Sequence, residues 1–197
     1  AALQAGGALP GAGVDYLELS SRLTSAAVPA FLGIVGAAAA HELGHRAAAA
    51  AKGAKLGAPL FVPSLDIGVY GSVTPFRSLL KDRAEMFDIS AAGPYAGAAA
   101  GTALFLAGLL LSTDPANPEL VPVPAGVLDT SLVLGGTVRA AIGATDASPT
   151  TEVLVHPLML AGWSALAANA FNLLPVGRLD GGRMVQAAWG RGALAFT

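Results

Sequence analysis

The chain has 197 residues, of which 54% are hydrophobic and 12% are charged, and its mean hydropathy is +0.62. The charged share is about half that of an ordinary globular protein, which indicates a membrane protein. The net charge of −2 excludes the strongly basic balance typical of nucleic-acid-binding proteins, and the absence of cysteine excludes disulfides, thiolate metal sites and cysteine nucleophiles.

The first predicted membrane span covers residues 26–51. It follows a Gly/Ala-rich segment, residues 1–25, which we expect to be a loop with at most a short helix around Tyr16–Leu23. The 23 residues Pro29–Ala51 would form a helix of about 35 Å, which is enough to cross a bilayer. Because the span is rich in alanine, other helices could approach it closely.

Two histidines and a glutamate interrupt this apolar span: His41, Glu42 and His45. On a helix, residues four apart lie on one face, one turn above the other. That spacing suits two zinc ligands, with the glutamate between them as base for a water molecule. The HExxH pattern alone occurs by chance on many helices. Within a membrane span it predicts a functional site, because ionisable groups are costly at that depth.

A polar segment, residues 52–85, follows the first span. Within it, Ile67–Thr74 alternates loosely between two prolines, which predicts one or two short strands. A second span is predicted at residues 89–111. The connection after it, residues 112–153, contains an apolar patch, Val127–Ile142, that is too interrupted to predict another span.

A third span is predicted at residues 153–174. Pro175 should end it, and the turn-forming run Leu179–Gly182 follows. This run contains Asp180, a carboxylate that could complete a zinc site. The stretch Arg183–Phe196 is expected to be an amphipathic or truncated helix.

The distribution of positive charge places both halves of the candidate site on one side of the membrane. Of the 11 Lys and Arg residues, six lie between Arg46 and Arg83 and three between Arg178 and Arg191, whereas the connection 112–153 has one against five acidic residues. By the positive-inside rule, spans one and three therefore end on the cytoplasm-like side. His45 would lie about 10 Å from that side. Asp180 could then join the histidines, giving a two-histidine, one-carboxylate zinc set with water in the fourth position.

Two other polar residues are weighed against a catalytic role. His156 precedes Pro157 and would lie about 24 Å along a continuous helix from Asn172, so we interpret it as an interfacial or structural histidine. Ser164 lies in a Gly-Trp-Ser-Ala run that faintly suggests a serine protease of the rhomboid type. That chemistry requires a histidine base within hydrogen-bond reach, and His156 is two turns away.

Three motifs together resemble the site-2 protease family of intramembrane zinc metalloproteases. They are His41–His45 within a span, Gly93–Gly97 in the next span and Asn172–Gly182 after the third. The amino-acid sequence of Asn172–Gly182, together with His156–Leu158 and Ala161–Trp163, is similar to that of the plastid and cyanobacterial branch, which includes the EGY-type proteases.

The resemblance implies an all-α polytopic membrane protein with a three-transmembrane-helix metalloprotease core, residues 26–190, and a short strand or hairpin between its first two helices. Residues 191–197 would begin a C-terminal segment. The implied cofactor is one Zn²⁺ per chain, held by His41, His45 and Asp180. The implied partners are the lipid bilayer and a protein substrate with a transmembrane helix, not nucleic acid. The implied location is a chloroplast membrane, either thylakoid or envelope.

The expected reaction is hydrolysis of a peptide bond within or next to a substrate's transmembrane segment. Glu42 would take a proton from the attacking water and deliver it to the leaving amine. By resemblance, Asn172 would orient the substrate or support the oxyanion; its alternative is a polar group satisfied by a neighbouring helix. The strand-like segment Ile67–Thr74 could pair with the unwound substrate as an added strand.

Two other protein classes stay open. An inactive relative acting as a membrane chaperone or scaffold would usually have a damaged HExxH or Leu-Asp-Gly motif, and both motifs are intact here. A soluble zinc protease would have to bury three apolar runs of about 21–23 residues, a length typical of membrane spans.

Overall fold

The computed structural model describes residues 16–64 and 68–194. Within these residues the chain forms five α-helices and two small two-stranded antiparallel sheets, of which the first is a hairpin. The helices are α1 (Tyr16–Lys52), α2 (Arg83–Ser112), α3 (Leu132–Ala141), α4 (Pro157–Asn172) and α5 (Asp180–Trp189). The strands are β1 (Leu60–Ser64), β2 (Gly68–Val73), β3 (Val121–Pro124) and β4 (Glu152–Val155).

Helix α1 is longer than the predicted first span. It begins at Tyr16, so the segment around Tyr16–Leu23 continues into the span as one helix, with Pro29 inside it. The predicted loop at residues 1–15 lies outside the described residues. Gly53, with a φ of 75°, directly follows the helix and gives it the left-handed end that glycine favours.

The first hairpin confirms the short strands predicted between the first two helices. β1 pairs antiparallel with β2, from Leu60 opposite Val73 to Ser64 opposite Gly68, with a register shift after Val62. Ile67, where the predicted strand begins, lies outside the described residues. The hairpin packs against α4 and α1, so β2 runs beside the helix that carries the two histidines.

Helix α2 begins six residues before the predicted second span. The Asp82 carboxylate caps it by accepting from the backbone N–H of Glu85 (2.7 Å). The Glu85 carboxylate in turn accepts from the N–H of Lys81 (2.6 Å). This polar cap is a sequence signal for a helix start that the apolar run alone does not contain.

The connection after α2 is folded, although its sequence predicts no regular element. β3 pairs with β4, from Val121 opposite Val155 to Pro124 opposite Glu152. Between them lie a 3₁₀ helix, Ala125–Thr130, and α3. Apolar side chains of this unit pack on the last turns of α2 and the first turn of α4 in one buried cluster that includes Phe105, Leu109, Val138, Val155 and Met159.

The third predicted span differs from the structure at its beginning. Residues 153–155 belong to β4, and α4 starts only at Pro157. The residue before a proline disfavours helical geometry, and His156 is extended (φ −77°, ψ 139°) and caps the helix. With 16 residues, α4 is about 24 Å long, so the structure does not confirm a third span.

Close packing of α2 against α4 depends on small residues. A Cβ atom at Gly108 would overlap the backbone of Met159, and one at Gly162 would overlap that of Phe105. The two helices can therefore approach to backbone contact, as membrane helices do where small residues meet.

Two helices in the described part of the chain are long and apolar enough to cross a membrane. They are Thr24–Lys52, within α1, and α2, with mean hydropathies of 1.5 and 1.6. In the most apolar 18-residue stretch of each helix, only 22% and 33% of the residues are buried inside the protein, so most of their apolar surface faces outward. Large exposed apolar side chains on them include Phe31, Leu32 and Leu110.

Candidate metal centre

Helices α1 and α5 bring the two histidines and the aspartate together. His41 and His45 lie on one face of α1, as their spacing predicts, and Asp180 is the first residue of α5. His41 Nε2 lies 3.1 Å from Asp180 Oδ2, His45 Nε2 lies 3.2 Å from the same oxygen, and the two Nε2 atoms are 3.1 Å apart. All three residues are buried, between 1% and 5% exposed.

This triangle of atoms fits a zinc ion. In a tetrahedral site with ligand bonds of about 2.0–2.1 Å, neighbouring ligand atoms lie about 3.3 Å apart. The three distances measured here lie within 0.2 Å of that value. One open position toward the substrate would make this a catalytic rather than a structural site.

Hydrogen bonds behind the two imidazoles direct their lone pairs to the same point. His45 Nδ1 lies 2.7 Å from the carbonyl oxygen of Ile89, which can only accept, so Nδ1 carries the proton. His41 Nδ1 lies 3.0 Å from Asn169 Oδ1 and donates to it in the same way. In the neutral imidazoles each Nε2 is therefore the nitrogen left to bind a metal.

The Gly93–Gly97 motif makes room for both rings. A Cβ atom at Gly93 would collide with the imidazole of His45, and one at Gly97 would lie 2.9 Å from His41 Nδ1. The two glycines are four residues apart on α2, which matches the spacing of the two histidines on α1. Pro94, between them, leaves its carbonyl oxygen to accept from Asn169 Nδ2 (2.8 Å).

Asp180 is held in place by the glycines that follow it. A Cβ atom at Gly181 would overlap the carbonyl of Leu173, and one at Gly182 would lie 2.6 Å from the carbonyl oxygen of Gly177. The start of α5 can therefore press against the turn that follows α4. Burial by itself raises the pKa of Asp180, but the contacts with the two imidazoles outweigh it and keep that pKa below its ordinary value. The carboxylate is thus ionised, as a ligand must be.

Glu42 is buried beside this triangle and is oriented by two partners. The hydroxyl of Thr74, just beyond β2, donates to Glu42 Oε2 (2.7 Å). The Nε atom of Arg46, one turn along α1, lies 2.6 Å from Glu42 Oε1 in an ion pair. That approach lacks hydrogen-bond alignment, so Oε1 has no hydrogen-bond partner among the described residues and can accept a proton from water.

Asn172 lies at the end of α4 and is 3% exposed. Its Oδ1 atom has no hydrogen-bond partner among the described residues. No hydrogen bond to His41, His45 or Asp180 is found for it in that part of the chain. The predicted role of Asn172 toward the substrate therefore stays a prediction, and its alternative role, a polar group satisfied by a neighbouring helix, is not seen for Oδ1.

His156 has a structural role at the opposite end of α4. Its Nδ1 accepts from the N–H of Leu158 (3.1 Å), and its Nε2 lies 2.8 Å from Glu119 Oε2. Both ring nitrogens are thus engaged, which leaves none to serve Ser164 as a base. The residue is buried, at 2% exposed, rather than interfacial.

Three partners in the site were not identified from the sequence: Thr74, Asn169 and the carbonyl of Ile89. They lie 32, 128 and 44 residues from the side chains that they bind. No local pattern marks them. A signal was present only for Asn169, as a second polar residue one turn before Asn172 in an apolar helix.

Comparison with known proteins gives a family match over most of the chain. The profile described as "Peptidase family M50" matches residues 29–195. No solved structure matches the chain significantly.

Curated plant proteins are similar to this chain. It is 47% identical over 179 residues to "Probable zinc metalloprotease EGY1, chloroplastic" of Arabidopsis thaliana, covering 90% of this chain and 32% of that protein. The rice (Oryza sativa subsp. japonica) protein of the same name is 45% identical over 90% of this chain and 31% of its own length. Arabidopsis EGY2, also described as a probable chloroplastic zinc metalloprotease, is 39% identical over 77% of this chain and 27% of its own length. The chain spans about a third of the length of these relatives.

Proposed function

This chain belongs to peptidase family M50 and is a zinc metalloprotease domain, and from that premise we propose that the whole protein hydrolyses peptide bonds within or next to transmembrane segments of membrane proteins. One observation carries the proposal: two residues of the buried triangle, His41 and His45, lie on a helix that is long and apolar enough to cross a bilayer, and Asp180 reaches them from α5. A protease with this geometry works on chains that enter the membrane.

The residues divide the chemistry among them. His41, His45 and Asp180 would hold the zinc, which would supply a Lewis acid that polarises a carbonyl and acidifies a water molecule. Glu42 Oε1, the oxygen that Thr74 does not bind, takes the proton of the attacking water and passes it to the leaving amine. Thr74 keeps the other oxygen occupied, so the carboxylate cannot rotate away.

Asn172 is proposed to serve the substrate rather than the metal. It is a buried amide whose Oδ1 lacks a partner within the described residues, and such a group is costly unless a ligand satisfies it. An Asn172 amide can donate to a developing oxyanion and accept from a substrate N–H.

The substrate is proposed to bind as an extended strand along the hairpin. β2 uses one edge for β1 and passes beside α1 and α4, and Thr74 follows β2 immediately. A transmembrane helix hides its carbonyls in internal hydrogen bonds, so it must unwind before attack. Pairing with the second edge of β2 would hold the unwound segment next to Glu42.

The proposed setting is a multi-pass arrangement in a chloroplast membrane. α1 and α2 are the two candidate spans, and α4 packs against both to complete a three-helix core. The curated relatives are described as chloroplastic, which supports a plastid location. No observation favours an inactive chaperone or scaffold, because the ligands and the base are all present and grouped.

Zinc content tests the proposal without knowledge of the substrate. The detergent-purified wild type should contain one zinc per chain, and Asp180→Ala should lose most of it, because two imidazoles alone leave the site short of a ligand. Asp146→Ala, which removes an exposed aspartate from the loop after α3, is the matched control and should keep its zinc. A well-folded wild type without zinc would contradict the proposal.

Glu42→Gln then separates chemistry from binding. This variant should retain zinc, since Glu42 is not in the ligand triangle, but should cleave a membrane-spanning test substrate about 10²–10⁴-fold more slowly. Cleavage at the wild-type rate would show that another group acts as the base.

A further inference from the structure

We propose that Asn169 is a positioning residue of the zinc site: its amide selects the tautomer and ring orientation of His41 while binding α4 to α1 and α2. The inference rests on the proposed function but concerns a residue outside the ligands, the base and the substrate-facing Asn172. Its basis is the pair of hydrogen bonds that the amide makes in opposite directions.

The orientation of the amide is determined by Pro94. A backbone carbonyl oxygen only accepts, so the NH₂ group of Asn169 must be the side that faces Pro94 O at 2.8 Å. The Oδ1 atom therefore faces His41 Nδ1 at 3.0 Å. An amide oxygen only accepts, so His41 Nδ1 must carry a proton, and in the neutral imidazole Nε2 is then the nitrogen that can bind a metal. The carbonyl of Pro94 on α2 thus orients the amide, and the amide directs the lone pair of His41 Nε2 toward the candidate metal position.

Because both side chains are buried, the orientation of His41 depends on this hydrogen bond. Asn169 is 6% exposed and His41 is 5% exposed, so water cannot easily replace either partner. A buried imidazole without an acceptor at Nδ1 would lose that hydrogen bond, and its ring could turn or adopt the other tautomer. In that tautomer Nε2 carries a proton and cannot bind a metal.

Asn169 also differs from the corresponding partner of His45. The Nδ1 atom of His45 donates to the backbone carbonyl of Ile89 (2.7 Å), which no substitution removes. His41 depends on a side chain, so its orientation can be changed without touching either ligand. This makes Asn169 the position at which the outer hydrogen bonding of the site can be tested.

A substitution at Gly97 can perturb the same hydrogen bond independently. A Cβ atom there would lie 2.9 Å from both Asn169 Oδ1 and His41 Nδ1. A methyl group at this place must push the amide and the ring apart. Gly97→Ala therefore weakens the bond without removing a polar group.

The experiment measures Zn²⁺ affinity of the full chain, purified in detergent, stripped with a chelator and titrated against a fluorescent zinc indicator. Asn169→Leu removes the acceptor, keeps the same branching of the side chain and should weaken zinc binding about 10–100-fold. Asn169→Asp keeps an acceptor facing His41 and should stay within a few-fold of the wild type. Gly97→Ala should be weakened like Asn169→Leu. Ser164→Ala, another polar position on α4, is the control and should bind as the wild type does.

Two further readouts separate positioning from folding. Far-UV circular dichroism of the zinc-free variants should match the wild type, and the Co²⁺-substituted Asn169→Leu protein should show an altered d–d absorption spectrum. If Asn169→Leu fails to fold, Asn169→Asp and Gly97→Ala decide, since both keep an oxygen acceptor facing His41.

Equal zinc affinity of the wild type, Asn169→Leu and Gly97→Ala would overturn the positioning role and leave the proposed function intact. Equal weakening in Asn169→Leu and Asn169→Asp would also overturn it, because the acceptor would then not matter. A wild type that binds no zinc would instead overturn the proposed function itself.

Discussion

At the residue scale, the orientation of Glu42, the proposed base, depends on a contact made across the fold. The hydroxyl of Thr74 donates to Glu42 Oε2 (2.7 Å), and both residues are buried, at 2% and 8% exposed. A hydrogen bond to a buried carboxylate is stronger than one between neutral groups. It leaves Oε1 as the oxygen that receives a proton.

Thr74→Val tests this contact with a side chain of nearly the same shape. The variant should keep its zinc but lose about 10-fold or more in cleavage rate, because the carboxylate loses the hydrogen bond that orients it. Zinc content and initial rates on one membrane-spanning substrate measure the two effects. Thr74→Ser, which restores a hydroxyl, should recover most of the rate. Failure of serine to rescue would assign the loss to packing.

At the element scale, the approach of α1 to α2 depends on the glycines of the Gly93–Gly97 motif. Gly93 faces the ring of His45 and Gly97 faces that of His41, so the side chains of one helix occupy the places of absent side chains on the other. The same principle brings α2 against α4 at Gly108 and Gly162. Small residues thus determine how near the site's elements can lie.

Gly93→Ala should therefore displace His45. We expect at least about tenfold weaker zinc binding, since a ligand ring must move to admit the methyl group. Gly36→Ala is the matched control, because Gly36 is a glycine inside α1 with nothing within 4 Å of an added Cβ. It should bind zinc normally and stabilise the helix by about 0.5–1 kcal/mol. Zinc titration and thermal unfolding of both variants measure these effects, and normal zinc binding by Gly93→Ala would contradict the tight packing.

At the scale of the whole molecule, the candidate site lies toward one end of the two candidate membrane spans. His45 lies seven residues before Lys52, and α2 starts at Arg83 on the same side as Lys52. Lys52 forms an ion pair with Asp88 (2.6 Å) that joins these two helix ends. The unit formed by β3, α3 and β4 lies at the other end of α2, beyond Ser112.

The chain has no cysteine, so single cysteines can report this arrangement. Leu79→Cys, at a fully exposed position between β2 and α2, and Asp146→Cys, in the loop after α3, should react with a membrane-impermeant maleimide from opposite sides of sealed, oriented vesicles. The reason is that α2 separates the two positions and is long enough to cross the bilayer. Labelling of both from one side would contradict a membrane-crossing α2.

Features that depend only on residues close in the chain could be predicted from the sequence. The spacing of His41 and His45 places both rings on one face of any helix, and the length of the apolar runs predicts helices able to cross a membrane. The alternating run Ile67–Thr74 predicted β2, whereas its partner β1 lies before that run. Prolines and polar caps also carried boundary information: Pro157 and Asp82 mark where α4 and α2 begin, although hydropathy alone placed those starts elsewhere.

The distant groups that complete the site could be identified only in the folded chain. Asn169 and Thr74 lie 128 and 32 residues from their partners, and the glycines that admit the imidazoles lie on another helix. The pairing of β3 with β4 likewise joins strands separated by a 3₁₀ helix and α3. Local periodicity reports which face a side chain takes on its own element. The carbonyl, amide or hydroxyl that contacts this face comes from another element. Its identity depends on how closely the elements pack, which is a property of the folded chain.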